Sequence, residues 1–198
     1  LDVLAGVRQI FGQRSLFALV LFASTLVAVF QCLDDVILPV MVNSLRQEAD
    51  ALGYVLGCAG AGGVMGAMVY MILCQRLRTK STMILTTGMI AGALIAIAVF
   101  PLWPVLLVGA FVAGMGAGAV SPLLSTKLQR AAPLGQRGGV LGAASALALA
   151  LTPITTIASG HAVSSMDSRI VVAALAVPLL ITICVTAISR RAGATRIQ

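Results

Sequence analysis

ALGYVLGCAGAGGVMGAMVYMILCQRLRTK, residues Ala51 to Lys80, runs without a charge as far as Gln75 and then places Arg76, Arg78 and Lys80 close together. A helix rises about 1.5 Å per residue and hydrocarbon is about 30 Å thick, so about 20 apolar residues suffice to cross a bilayer. This stretch predicts one complete crossing that ends on a basic loop. Working outward from it, five further apolar runs of similar length occur, so that the six predicted spans are 16–42, 51–74, 83–99, 103–124, 138–160 and 169–188. The fold class expected is an all-α membrane protein, a bundle of six transmembrane helices. Residues 1–14 form a lead, 15–189 the six-span domain and 190–198 a basic tail.

The charges orient the bundle. Arg8 and Arg14, then Arg76, Arg78 and Lys80, then Lys127, Arg130 and Arg137, then Arg190, Arg191 and Arg196 fall on alternate breaks, whereas the other breaks hold only Arg46 and Arg169. Short loops rich in Lys and Arg stay in the cytoplasm, which predicts a multi-pass protein of the cell membrane with both termini cytoplasmic. Glu48, Asp50 and Asp167 fall in the opposite loops.

Composition agrees with a lipid setting, with 60% hydrophobic and 10% charged residues against about 25% charged in ordinary globular chains. A net charge of +7 would point to nucleic acid in a soluble domain. Here the charges flank spans with only 5% aromatics between them, so they serve as contacts for anionic lipid, and no nucleic-acid partner is expected. Cys32, Cys58, Cys74 and Cys184 lie within or at the edge of apolar runs without metal spacing and read as small hydrophobes. The chain opens on Leu1 and reads as a piece of a longer protein. Its lead puts Val3, Val7, Ile10 and Phe11 on one helical face, which suits either an interfacial helix or a disordered linker.

Small residues recur every fourth position in four spans. Gly62 and Gly66 in the second and Gly114 and Gly118 in the fourth are read as helix-packing glycines. Gly53 and Gly57, Gly88 and Gly92, and Gly138 and Gly142 repeat the spacing. Four residues is just over one turn, so each set shares a face on which two backbones can approach, and all four spans are expected to pack through them. Pro39, Pro122, Pro153 and Pro178 each remove a backbone donor and predict bends.

Chemistry-bearing side chains are few. Asp34 and Asp35 stand in VFQCLDDVILPVMV, residues 29–42, with apolar sequence on both sides. A carboxylate at mid-span costs about 2.5–3.5 kcal/mol on insertion scales and needs a partner, a watery cavity or a proton. Neighbouring residues on an α-helix diverge by about 100°, so one of the two can face a cavity. Ser24, Gln31 and Asp35 share a stripe, which makes Asp35 the better candidate and leaves Asp34 to one side. A plainer reading is that residues 15–33 already cross and that the two carboxylates mark the outer interface. Thr152, Thr155 and Thr156 surround Pro153, and Ser121, Ser125 and Thr126 follow the fourth span. Such hydroxyls commonly bond back to a helix carbonyl. There is no phosphate-cradling glycine loop, no metal-spaced His or Cys set and no nucleophile elbow, so neither enzyme activity nor a cofactor is expected.

The order of these features resembles the C-terminal half of a major facilitator superfamily transporter of the bacterial multidrug, macrolide or siderophore exporter type. The resemblance rests on the basic lead 7–14, on Leu38-Pro39, and on the glycine-rich second span followed by QRLRTK at 75–80. It rests most on GMGAG at 114–118, Ser121-Pro122, and APLGQRGGVLG at 132–142, which is similar to the family form P-x-x-x-R-G-R-V-x-G. The short basic loop holding Arg76 and Arg78 departs from the family's G-x-L-x-D-R in lacking the Gly and the Asp. Arg137-Gly138 is followed by glycine where the family has arginine.

The resemblance implies half of a major facilitator fold, with the first and fourth spans lining a midplane cavity. It also implies secondary-active, proton-coupled efflux of a lipophilic small molecule. Its partners would be solute, protons, lipid, and either a missing N-terminal six-helix half or a second copy. The alternative is a truncated or degenerate six-span protein that serves as a structural partner without transporting.

Overall fold

The computed structural model describes residues 8, 10–12, 14–45, 50–73, 79–131, 137–150, 152–165 and 168–194. Among the described residues every regular element is helical. The first span is α1 (Arg14–Cys32), a π-helical turn (Leu33–Ile37) and α2 (Leu38–Ser44) in succession. The second is α3 (Asp50–Leu73), the third α4 (Thr79–Val99) and the fourth α5 (Trp103–Ala131). The fifth span comprises α6 (Arg137–Ala150) and α7 (Thr152–Ser165), and the sixth is α8 (Ser168–Ala194). Five stretches are long and apolar enough to cross a membrane, and Ile170–Cys184 is a shorter apolar helix.

The bundle is organised by pairs. α3 packs most closely against α5, α4 lies against both α5 and α8, and α1 runs beside α6 and α7. The larger apolar core is held by Leu33, Ile37, Met41, Val55, Leu94, Leu106 and Leu179. A smaller one gathers Leu16, Val20, Leu128, Val140 and Ala144 around Ile10, which is fully buried. Of the lead's apolar residues, Ile10 is thus drawn into the bundle, whereas Phe11 is exposed and its ring lies 5.2 Å from that of Phe17. Val3 and Val7 lie outside the described residues.

Glycine explains the α3–α5 pair and corrects the expectation for the other stripes. A Cβ on Gly62 would strike the Phe111 carbonyl, one on Gly66 that of Met115, one on Gly114 that of Ala59 and one on Gly118 that of Gly63. Any larger residue would force these backbones apart and forfeit their dispersion contacts. Around Gly53, Gly57, Gly88, Gly92, Gly138 and Gly142, by contrast, the space is open. A spacing of four fixes which residues share a face but not which neighbour that face meets; these faces are turned outward.

Cover is uneven across the bundle. In the first, third and fourth spans 56%, 44% and 44% of the most apolar stretch is buried, but in the second and fifth only 22% and 19%. The uncovered side chains are large and apolar, including Tyr54, Val64, Met65 and Met68 on α3 and Leu149, Ile154 and Ile157 on α6 and α7.

Candidate functional site

The first span carries the two carboxylates, and its backbone widens where they stand. Pro39 has no N–H, and in an unbroken α-helix its ring would press on the carbonyl of residue 35. The chain answers with one π-helical turn, in which the Leu38 N–H donates to the Leu33 carbonyl five residues back. Single π turns inside α-helices recur at functional sites because they re-aim the side chains around them.

The two neighbouring aspartates fall in different surroundings as a result. Asp35 is exposed, and its Oδ2 accepts a 3.1 Å hydrogen bond from Gln31 Nε2. Asp34 is half-buried, and its Oδ1 is fully covered without a hydrogen-bond partner among the described residues. An unpaired buried polar atom costs about 1–3 kcal/mol in proteins, so Asp34 stands under a demand that Asp35 does not.

Ser24 departs from the stripe expected for it. It is 3% exposed, and its hydroxyl donates to the Val20 carbonyl at 2.9 Å and across the bundle to the Leu147 carbonyl at 3.3 Å. Ser24 and Gln31 share a face of α1, but a shared face does not fix which neighbour covers each end of it. Ser24 instead faces the fifth span.

The threonines around Pro153 divide, and beyond them stands Ser159, which sequence reasoning passed over. Thr155 bonds back to the Thr152 carbonyl at 3.0 Å, as Ser125 does to Ser121 and Thr126 to Pro122 in the fourth span. Thr152 and Thr156 have fully covered hydroxyls with no partner among the described residues. Ser159, one turn further, is buried and lies beside Cys32. The usable signal was the spacing 152, 156, 159, which is one face of a helix.

Of the basic-loop residues, Arg76 and Arg78 lie outside the described residues. Arg137 opens α6, and Gly138 beside it is exposed with open space around its Cα. No group of His, Cys, Asp or Glu among the described residues is arranged to hold a metal ion.

Comparison with known proteins places this geometry. The profile of the Major Facilitator Superfamily matches residues 20–196. The multidrug efflux pump Tap of Mycolicibacterium fortuitum is 26% identical over 179 residues, which cover 90% of this chain and 44% of that protein. The multidrug efflux pump Tap of Mycobacterium tuberculosis is 29% identical over 180 residues, covering 89% of this chain and 42% of that protein. The chain spans less than half the length of the curated relatives it matches.

Proposed function

Because this chain belongs to the Major Facilitator Superfamily, we propose that it forms one half of a secondary-active exporter that expels a lipophilic small molecule in exchange for protons. The single observation that carries this reading is the carboxylate pair at the π turn, set in an otherwise apolar span. Asp35 with Gln31 would offer the polar contact to a solute, which suits one that is lipophilic and cationic. Asp34, whose covered oxygen lacks a donor, has the surroundings of a group that trades a proton. Ser24 holds the first span to the fifth.

The partner proposed is a second six-helix half, whether supplied by the rest of a longer chain or by another copy. Its support is that the second and fifth spans carry the least cover and the largest apolar exposure, and that the matched relatives are more than twice as long as the matching segment. Apolar faces of that extent in a lipid-embedded bundle are met by lipid or by another helix face. The basic breaks orient the assembly with both termini in the cytoplasm of a cell-membrane protein.

The test is Asp35→Asn in the whole transporter, with insertion followed separately. Proton-driven efflux is expected to be lost while the amount of inserted protein is unchanged. Efflux at the unaltered rate would remove this reading and favour a non-transporting membrane partner.

A further inference from the structure

The contact between the first and fifth spans is lined by small and polar groups over several turns. On α1, Ser24, Ala28 and Cys32 recur every fourth residue and are 3%, 2% and 0% exposed. On α7, Thr152, Thr156 and Ser159 lie on one face. Two links mark the register of these rows: Ser24 bonds to the Leu147 carbonyl at one end, and Cys32 lies beside Ser159 at the other. Thr152 and Thr156 fall between those links along the fifth span.

The uncompensated atoms fall in this same part of the bundle. The buried side-chain oxygens without a partner among the described residues are Thr152 Oγ1, Thr156 Oγ1 and Asp34 Oδ1. The first two lie on the seam face of α7, and the third lies in the π turn, which packs against α7 just beyond the Cys32–Ser159 link. Elsewhere in the bundle the hydroxyls are satisfied locally, as with the buried Thr86 and Thr87, which both bond back to the Met83 carbonyl. Small residues on α1 thus stand opposite hydroxyls on α7. Polar atoms in such places are ordinarily completed by water.

We propose that the seam between the first and fifth spans is a hydrated path, in which water bonded to Thr152 and Thr156 leads past Cys32 and Ser159 to Asp34. The ligand is water, held in a row, and the path supplies the carboxylate pair from within the half-bundle and not from the open face that Asp35 shares with Gln31. This inference concerns hydration alone and stands independently of whether the chain transports a solute.

The experiment uses the complete protein in native membrane vesicles, with its cysteines replaced and a single cysteine restored by Thr152→Cys or Thr156→Cys. The probe is a small water-soluble methanethiosulfonate. Ile95→Cys and Ile181→Cys, at 42% and 58% exposure on the third and sixth spans, serve as comparators in hydrocarbon. The thiolate is the reacting form, and each unit by which hydrocarbon raises a thiol's pKa lowers its fraction about tenfold.

The cysteines at 152 and 156 are expected to react at least about tenfold faster than the two comparators, a difference of one such unit. Equal, slow rates at all four positions would overturn the proposal. Should the cysteine-free background fail to insert, hydroxyl-radical footprinting of the unaltered protein decides instead. Oxidation of the fully buried Cys32 supports the path, because the radical forms from neighbouring water, and a protected Cys32 overturns it. Neither readout requires transport, so a failure here is distinct from a failure of the exporter reading.

Discussion

The seam between the second and fourth spans and the seam between the first and fifth are both built from small residues, yet only the first is finished. Gly62, Gly66, Gly114 and Gly118 bring carbonyls of the facing helix to where a side chain would stand, with nothing polar left over. Between the first and fifth spans the small residues face hydroxyls, two of which have no partner among the described residues. A close backbone seam gains dispersion and rigidity, whereas an unfinished polar seam keeps groups available for something that comes and goes. One seam holds the bundle together, and the other leaves covered hydroxyls without a partner among the described residues.

That contrast can be broken most forcefully at the closed seam. Gly66→Val or Gly118→Val sets side-chain carbons against the Met115 or Gly63 carbonyl, and overpacking of this kind costs about 1–3 kcal/mol per site. The expected outcome is a large fall in the thermal midpoint of the detergent-solubilised whole protein, or failure to accumulate it. Midpoints unchanged from the parent would mean that these helices do not meet as described.

A smaller effect is expected at the polar seam. Ser24→Ala removes the cross-bundle bond to Leu147, and interhelical hydrogen bonds in membranes average about 0.6 kcal/mol. A correspondingly slight drop in the same midpoint is predicted, and a fall as large as at Gly66 would erase the distinction between the seams. The smallest effect belongs to the open stripes. Gly92→Ala and Gly142→Ala have empty space to enter and should leave the midpoint within about 0.5 kcal/mol of the parent, or raise it through better helix propensity.

Much of the bundle could be read before any coordinates, because hydropathy and glycine spacing are properties of the chain itself. The lengths of uncharged sequence between basic clusters gave helices of membrane-crossing length, and the spacing of Gly62, Gly66, Gly114 and Gly118 marked residues that lie where two backbones touch. What could not be read is rotation. Gly88, Gly92, Gly138 and Gly142 repeat the same spacing but face outward, since a one-dimensional period carries no information on which side a neighbour lies. The same limit displaced Ser24 from the carboxylate stripe.

The π turn was also invisible. Pro39 announced a disturbance, but an extra residue in the ladder or a simple kink answers it equally well in sequence. Only the Leu38 to Leu33 bond shows which one occurs and why Asp34 and Asp35 fall in different surroundings.

The carboxylates of the first span are proposed to exchange a proton against a lipophilic solute. The direct measurement is proton release into weakly buffered solution when solute is added to the detergent-solubilised whole protein. Release is predicted for the parent, with loss in the Asp34→Asn and Asp35→Asn double variant. Solute binding without any proton release, or equal release from that variant, would contradict it.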